Sequence, residues 1–189
     1  MSRLPRVAMP WRRKEKNAEK LYGAIVAQAR LPVFYQEFGV PDTLEGRFVV
    51  LSLNLFAVLH RLKGEGAPRK ALSQELADRF KDDMETVLRE LGVSDLRIPK
   101  KMRGLARSSA ALLRAYEEAF GGSDRALIEA VAKALPLDGD RAEAVAAPLA
   151  HYLRDCVLVL EREPYAALDA GTLRFPQLSG KALKEASHE

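Results

Sequence analysis

From Phe48 to Leu59, between Arg47 and His60, the chain carries no charged residue. A stretch this apolar has to be covered on nearly every side, and its spacing indicates how. Leu44, Phe48, Leu51, Leu55, Leu59 and Leu62 recur at three- and four-residue intervals and form one helical stripe, which Val49, Leu53 and Phe56 widen. A helix that is apolar around most of its circumference sits in the middle of a bundle. It is too short to span a membrane, which takes ~20 apolar residues.

The flanking sequence supplies the helices that would cover it. Lys16 to Arg30 places Leu21, Tyr22, Ile25, Val26 and Ala29 on one face, and Pro32 ends the pattern. Pro68 suits the first turn of a helix that runs to Leu91 with Leu72, Leu76, Phe80, Met84, Val87 and Leu88 facing inward, ended by Gly92. Pro99 opens another through Phe120, and Ser123 caps a shorter one through Leu135. Asp140 with Glu143 reads as the capping box of a last long helix, which Pro148 is expected to kink or split. Ala and Leu, 28 of each among 189 residues, favour helices throughout. The expected fold is all-α, a single-domain bundle of about six or seven helices. Residues 1–15 form a basic arm, 16–163 the helical domain and 164–189 an irregular tail.

Side-chain chemistry is sparse. His60, His151 and His188 lack ligand partners at helical spacing, so no metal site is expected. Cys156 falls on the apolar side of the last helix, where a buried thiol is inert, and a single cysteine fits a reducing compartment. Gly64 and Gly66 are not followed by the remaining glycine, lysine and helix-start pattern of a phosphate loop. Asp82-Asp83-Met84-Glu85-Thr86 ends on threonine where a magnesium-binding aspartate motif needs a further acid, so a solvated acidic face is the better reading. No catalytic residue, cofactor or enzymatic activity is expected.

The net charge of +4 is uneven: residues 1–30 hold eight basic and two acidic side chains. Trp11, Arg12, Arg13 and Lys14 join an aromatic to three cations, a combination suited to an anionic membrane surface, to an RNA backbone or to a solubilising arm. Lys100, Lys101, Arg103 and Arg107 follow Pro99, with Lys100, Arg103 and Arg107 on one stripe. They are read as contacts to lipid headgroups or RNA, or as a plain solvated face. Leu91-Gly92-Val93-Ser94 resembles the turn of a helix-turn-helix, although Pro99 would then lie inside the reading helix at a cost of ~3 kcal/mol. An all-α nucleic-acid-binding regulator is therefore the alternative reading.

Several segments, taken in order, are more specific. They are Leu31-Pro32-Val33-Phe34-Tyr35, then Val40 to Phe48 (Val-Pro-Asp-Thr-Leu-Glu-Gly-Arg-Phe), His60-Arg61-Leu62, Asp82-Asp83-Met84, Leu88 to Leu96, Pro99-Lys100-Lys101-Met102 and Ala115-Tyr116. Over roughly residues 18–160 this text resembles the ubiquinol–cytochrome c reductase (complex III) assembly chaperone family. It departs at Ser109-Ala110-Ala111, where the family often has an aromatic pair and glycine; a client that meets that pair would be contacted differently here.

The resemblance implies a non-enzymatic all-α chaperone that binds newly made cytochrome b, or its nascent chain near the ribosomal exit, and keeps it competent for haem insertion and assembly. It implies a cytoplasmic protein, peripheral on the cytoplasmic face of the inner membrane in a bacterium; it leaves a small partner subunit open. The client-binding residues it points to are Leu31, Val33, Phe34, Tyr35, Phe38, Asp42, Arg47, Phe48, Asp82, Asp83, Asp95 and Tyr116. Other readings of these residues stand beside it. Asp42 with Glu45 forms an N-cap box, Gly46 permits close helix packing, and Arg47 pairs with Asp82 or Asp95. Leu31 to Phe38, apolar without helical pattern, either lines a groove for a transmembrane segment or covers the core.

Overall fold

The computed structural model describes residues 10–64 and 66–178, with side chains from residue 16 onward. Within them the chain is helical: α1 (Pro10–Ala29), α2 (Val33–Gln36), α3 (Leu44–Leu62), α4 (Ala67–Glu90), α5 (Ile98–Phe120), α6 (Asp124–Ala134), α7 (Gly139–Arg162) and α8 (Tyr165–Asp169). Six of these are long; α2 and α8 are single turns of four and five residues. The axis of the bundle is α3, where every residue from Val49 to Val58 is buried. α1, α4, α5 and α7 pack around it, α6 bridges α5 and α7, and α8 docks on α1.

The termini of these elements differ from expectation in instructive ways. The cap of α3 is Thr43, in extended backbone with its hydroxyl accepting from Gly46 N–H at 3.2 Å, and not Asp42. The Asp42 carboxylate instead takes Arg47 Nε at 2.5 Å, which also means that Arg47 pairs with neither Asp82 nor Asp95. Gly46 is buried because the Pro41 carbonyl oxygen comes within 2.0 Å of where its Cβ would stand. The close approach is thus by the entry segment rather than by another helix.

α7 starts two residues earlier than the proposed box, with Asp138 and not Asp140 at the cap position, and Asp138 makes no side-chain cap bond. Glu143 is engaged elsewhere, by Arg125 of α6 at 2.9 Å. α7 runs through Pro148 unsplit. Ala146, Leu149 and Ala150 around that proline are buried, so tertiary packing holds both halves in line despite the missing N–H.

Two features tie the core together. Tyr152 of α7 donates to Asn54 Oδ1 of α3 at 2.6 Å and accepts from Gln28 Nε2 of α1 at 3.1 Å, while Asn54 Nδ2 donates to the Val50 carbonyl at 2.9 Å. Beneath it, Phe34 meets the rings of Tyr152 and Phe38 edge-on at 5.1 and 5.6 Å. At the opposite end of α3, Arg61 donates to the Leu160 and Glu163 carbonyls at 2.8 and 3.3 Å. The Arg61 and Arg69 guanidinium carbons lie 3.4 and 3.5 Å from the centre of the Tyr165 ring, distances that put them on opposite faces. Residues 165–169 of the tail are therefore helical and anchored, with Leu168 buried. Likewise α1 begins at Pro10, so the backbone of the basic arm is helical from there on.

Candidate functional site

α4 and α5 form a hairpin that does not close fully against α3. The gap is an apolar groove of about 240 Å³. α3 contributes Leu55 and Leu59 to its walls, α4 contributes Phe80 and Met84, and α5 contributes Met102, Leu105 and Leu113. These residues recur at helical spacing, so each helix presents one stripe. The stripes leave a space because Ala77, Ala106 and Ala110 stand where larger side chains would fill it. Ser109 turns its hydroxyl back to the Leu105 carbonyl at 2.8 Å, and Lys81 brings the groove's one charge. Such a surface offers dispersion contacts and burial to an apolar chain, with two methionines that adapt to irregular shapes. It offers no nucleophile and no acid–base pair.

A second hollow, about 600 Å³, lies between α5 and α6; alanines dominate its walls, together with Glu118, Glu129 and Lys133. Near the end of α3, Glu117 of α5 accepts from Lys63 at 2.8 Å and meets His60 Nδ1 at 3.1 Å. Burial alone would raise the Glu117 pKa. The Lys63 and His60 hydrogen bonds outweigh it and hold the carboxyl below its ordinary value. His60 also packs on Phe120 at 4.8 Å. Among the described residues no group of three or more acidic, histidine or cysteine side chains could hold a metal ion. Cys156 is buried, and burial pushes its thiol up to about 12, so it is unreactive.

The residues singled out from sequence separate into distinct environments. Phe34 and Tyr116 are fully buried packing groups, and Phe38 is nearly so, as buried as the Phe80 and Met102 that floor the groove. Leu31 is exposed, while Val33 and Tyr35 are half-buried, with the Tyr35 hydroxyl donating to the Ala29 carbonyl at 2.8 Å. Arg47 lies 5.6 Å from the Tyr35 ring centre, so Tyr35, Asp42 and Arg47 form one surface cluster. Phe48 packs on Phe80 at 5.9 Å, at the edge of α4.

The acidic residues do not share a face of free carboxylates. Asp83 accepts from the Tyr22 hydroxyl at 2.9 Å, Asp95 pairs with Arg89, and Asp82 stands exposed. Burial first, and then the Asp83 bond, raise the Tyr22 pKa. Lys100, Lys101, Arg103 and Arg107 are all exposed. The side chains of Trp11, Arg12, Arg13 and Lys14 lie outside the described residues.

Sequence reasoning read Phe80, Met84, Met102 and Leu105 as core; Phe80, Met84 and Met102 are buried and Leu105 packs against them, and what the sequence did not show is that they also floor an opening. The signal that marks them as a groove is the alanine at 77, 106 and 110, a run of small residues facing a stripe of large ones. Ala110 belongs to the Ser109-Ala110-Ala111 departure noted above, so that departure lies in the groove wall.

Among the described residues no helix is long and apolar enough to cross a membrane. Residues 36–175 match the ubiquinol–cytochrome C chaperone family model. The crystal structure of the Cbp3 homolog from Brucella abortus superposes with a TM-score of 0.79 at 36% identity, over 88% of this chain and 92% of that one. Ubiquinol–cytochrome c reductase complex assembly factor 1 of Xenopus laevis and of Mus musculus each share 25% identity over 114 residues, 60% of this chain. The match spans 57% of the frog protein and 39% of the mouse protein, about half the length of these relatives. With a family model over most of its length and a shared fold at this identity, the chain belongs to the ubiquinol–cytochrome C chaperone family, whose members are assembly factors and not enzymes.

Proposed function

We propose that this chain binds an apolar segment of newly made cytochrome b and holds it for assembly into ubiquinol–cytochrome c reductase, working at the cytoplasmic face of the inner membrane. The observation that carries this reading is the groove between α3, α4 and α5, an apolar slot on a member of an assembly chaperone family. A slot of this size takes anchoring side chains, so the client helix would lie across it with residues at three- and four-residue spacing inserted. Leu31, Val33, Tyr35 and the Asp42–Arg47 pair supply a further contact surface, Phe48 links it to α4, and the exposed Asp82 stands two residues from the groove-lining Met84. Binding supplies the whole mechanism: client surface is kept from water and from self-association, and no covalent step occurs. Family membership displaces the nucleic-acid regulator as the alternative.

The test is a reduced-minus-oxidised absorption spectrum of membranes from a strain lacking the gene. Loss of the cytochrome b signal, restored by the intact gene but not by the groove-filling Ala110→Leu variant, is the expected result. A normal spectrum with normal quinol oxidation would overturn the proposal.

A further inference from the structure

The turn joining α4 to α5 exposes apolar surface in a way the rest of the described molecule does not. Leu96 is 95% exposed and Leu91 59%, the two largest exposures among the big hydrophobic side chains. Slack backbone is not the cause. Gly92 N–H donates to the Arg89 carbonyl at 2.9 Å, Val93 to Leu88 at 3.1 Å and Arg97 to Ser94 at 2.8 Å, so the turn is closed by its own hydrogen bonds. A hydrogen-bonded turn facing water ordinarily carries polar side chains.

The charges around it are equally unbalanced. Between residues 89 and 107 there are six cations and two carboxylates. One of those carboxylates, Asp95, is taken by Arg89. Arg97, Lys100, Lys101 and Arg103 are exposed, and none has an ion-pair partner among the described residues. Helix electrostatics disfavours cations at the start of a helix. α3, α6 and α7 follow that preference with Glu45, Asp124 and Asp140 in their first turns; the first turn of α5, like those of α1 and α4, has no acidic residue, and it carries Lys100 and Lys101. An external anion relieves what folding alone leaves uncompensated.

We propose that this turn is a membrane-docking tip: Leu91 and Leu96 enter the interfacial layer of an anionic bilayer while Arg97, Lys100, Lys101 and Arg103 meet its lipid phosphates. Each half of the device is weak alone, because one or two leucines bury little area and exposed cations are screened by salt. Together they select a surface that is both apolar and anionic. A nucleic acid would use the cations but has no use for Leu96. The proposal deepens the function proposed above and rests on it for its purpose. Met102, in the groove wall, lies only four residues along α5 from Ile98, about 6 Å at 1.5 Å per residue. A docked tip therefore holds the groove at headgroup depth, where an apolar segment leaves or enters the bilayer.

The experiment uses the full chain carrying Trp11→Phe and Leu96→Trp, so that one indole reports on the tip, mixed with phosphatidylglycerol/phosphatidylcholine vesicles or with phosphatidylcholine alone. A blue shift of emission on the anionic vesicles only is expected. In the otherwise unaltered chain, Leu96→Ser and the pair Lys100→Gln, Lys101→Gln should each weaken vesicle co-sedimentation about tenfold at low salt. Circular dichroism should stay unchanged, since these side chains pack on nothing. Unshifted emission from a chain that still sediments with vesicles would overturn the proposal and move docking to the segment around Arg12 and Arg13. Release by millimolar inorganic phosphate, or by RNA with Leu96→Ser without effect, would also overturn it in favour of a simple anion or a nucleic-acid site. Co-isolation of cytochrome b from detergent-solubilised membranes separates the two readings. Capture without docking overturns the tip alone, and docking without capture overturns the proposed function alone.

Discussion

The two sides of α3 are built on opposite principles. Toward α1, α2 and α7 the space is filled: Phe34, Leu53, Leu149 and Leu153 are wholly buried, and the polar atoms of Asn54, Gln28 and Tyr152 bond one another. Toward α4 and α5 the large side chains face alanines, a groove stays open, and the connecting turn shows leucines and unpaired cations. Packing to interior density yields stability and a single arrangement, whereas a gap forgoes dispersion contacts that only another molecule can restore. The fold keeps its tight packing on one side and, on the proposed reading, its binding surface on the other.

Substitutions on the two sides should therefore fail differently. The largest effect expected is Phe34→Ala, which removes a fully buried ring from between Phe38 and Tyr152 and should cost about 3–5 kcal/mol in urea unfolding. A cost below about 1 kcal/mol would mean that this side is not the tightly packed one. Next is Gly46→Ala. Helix propensity alone favours alanine by about 1 kcal/mol. The clash with the Pro41 carbonyl should reverse that sign and leave a net loss of about 1–3 kcal/mol, which thermal melts would register.

Much of this was legible in the residues. The limits of α3, Leu44 and Leu62, coincide with its apolar stripe, because a helix buried on all sides announces itself by composition as well as by period. Single-residue capping was less legible. Asp42 and Thr43 are both good caps, and the choice was settled by Arg47, five positions away, which takes the Asp42 carboxylate. The tail could not be read at all, since Tyr165 is held by Arg61 and Arg69, contacts about a hundred residues distant that leave no periodic trace. The groove was hidden for a related reason: Met84 and Met102 are core, as their spacing indicates, and that they also floor an opening shows only once Ala77, Ala106 and Ala110 are placed in space.

Smaller effects sharpen the contrast. Tyr152→Phe leaves Asn54 Oδ1 without its donor and should cost about 1–3 kcal/mol by denaturant titration, with no change in client capture. Glu117→Gln removes the partner of Lys63 and His60. Because the Glu117 pKa is depressed in the folded chain, its contribution is present above the ordinary value of 4.5 and disappears as pH falls through the folded value. The pair is partly solvent-screened, so the deficit of the variant at pH 7 should be under about 1 kcal/mol and should vanish once the pH falls below the depressed folded-state value. Ala110→Leu, on the open side, should change stability by no more than about 0.5 kcal/mol, because that alanine is exposed. It should nonetheless abolish capture of cytochrome b in co-isolation. A large stability change there would mean the groove is a packing defect instead of a binding surface.

Asn54 has one more consequence. α3 is itself an apolar helix, the same kind of object that the chain is proposed to carry, so cargo and core are chemically confusable. A guest helix that slipped into the place of α3 would lack the amide at that height. It would strand the Tyr152 O–H, whose acceptor is Asn54 Oδ1, in an apolar interior, at about 1–3 kcal/mol for the unsatisfied donor. The hydrogen bond would thus let the molecule tell its own centre from the proposed passenger, and keep that passenger on the outside, where it could be handed on.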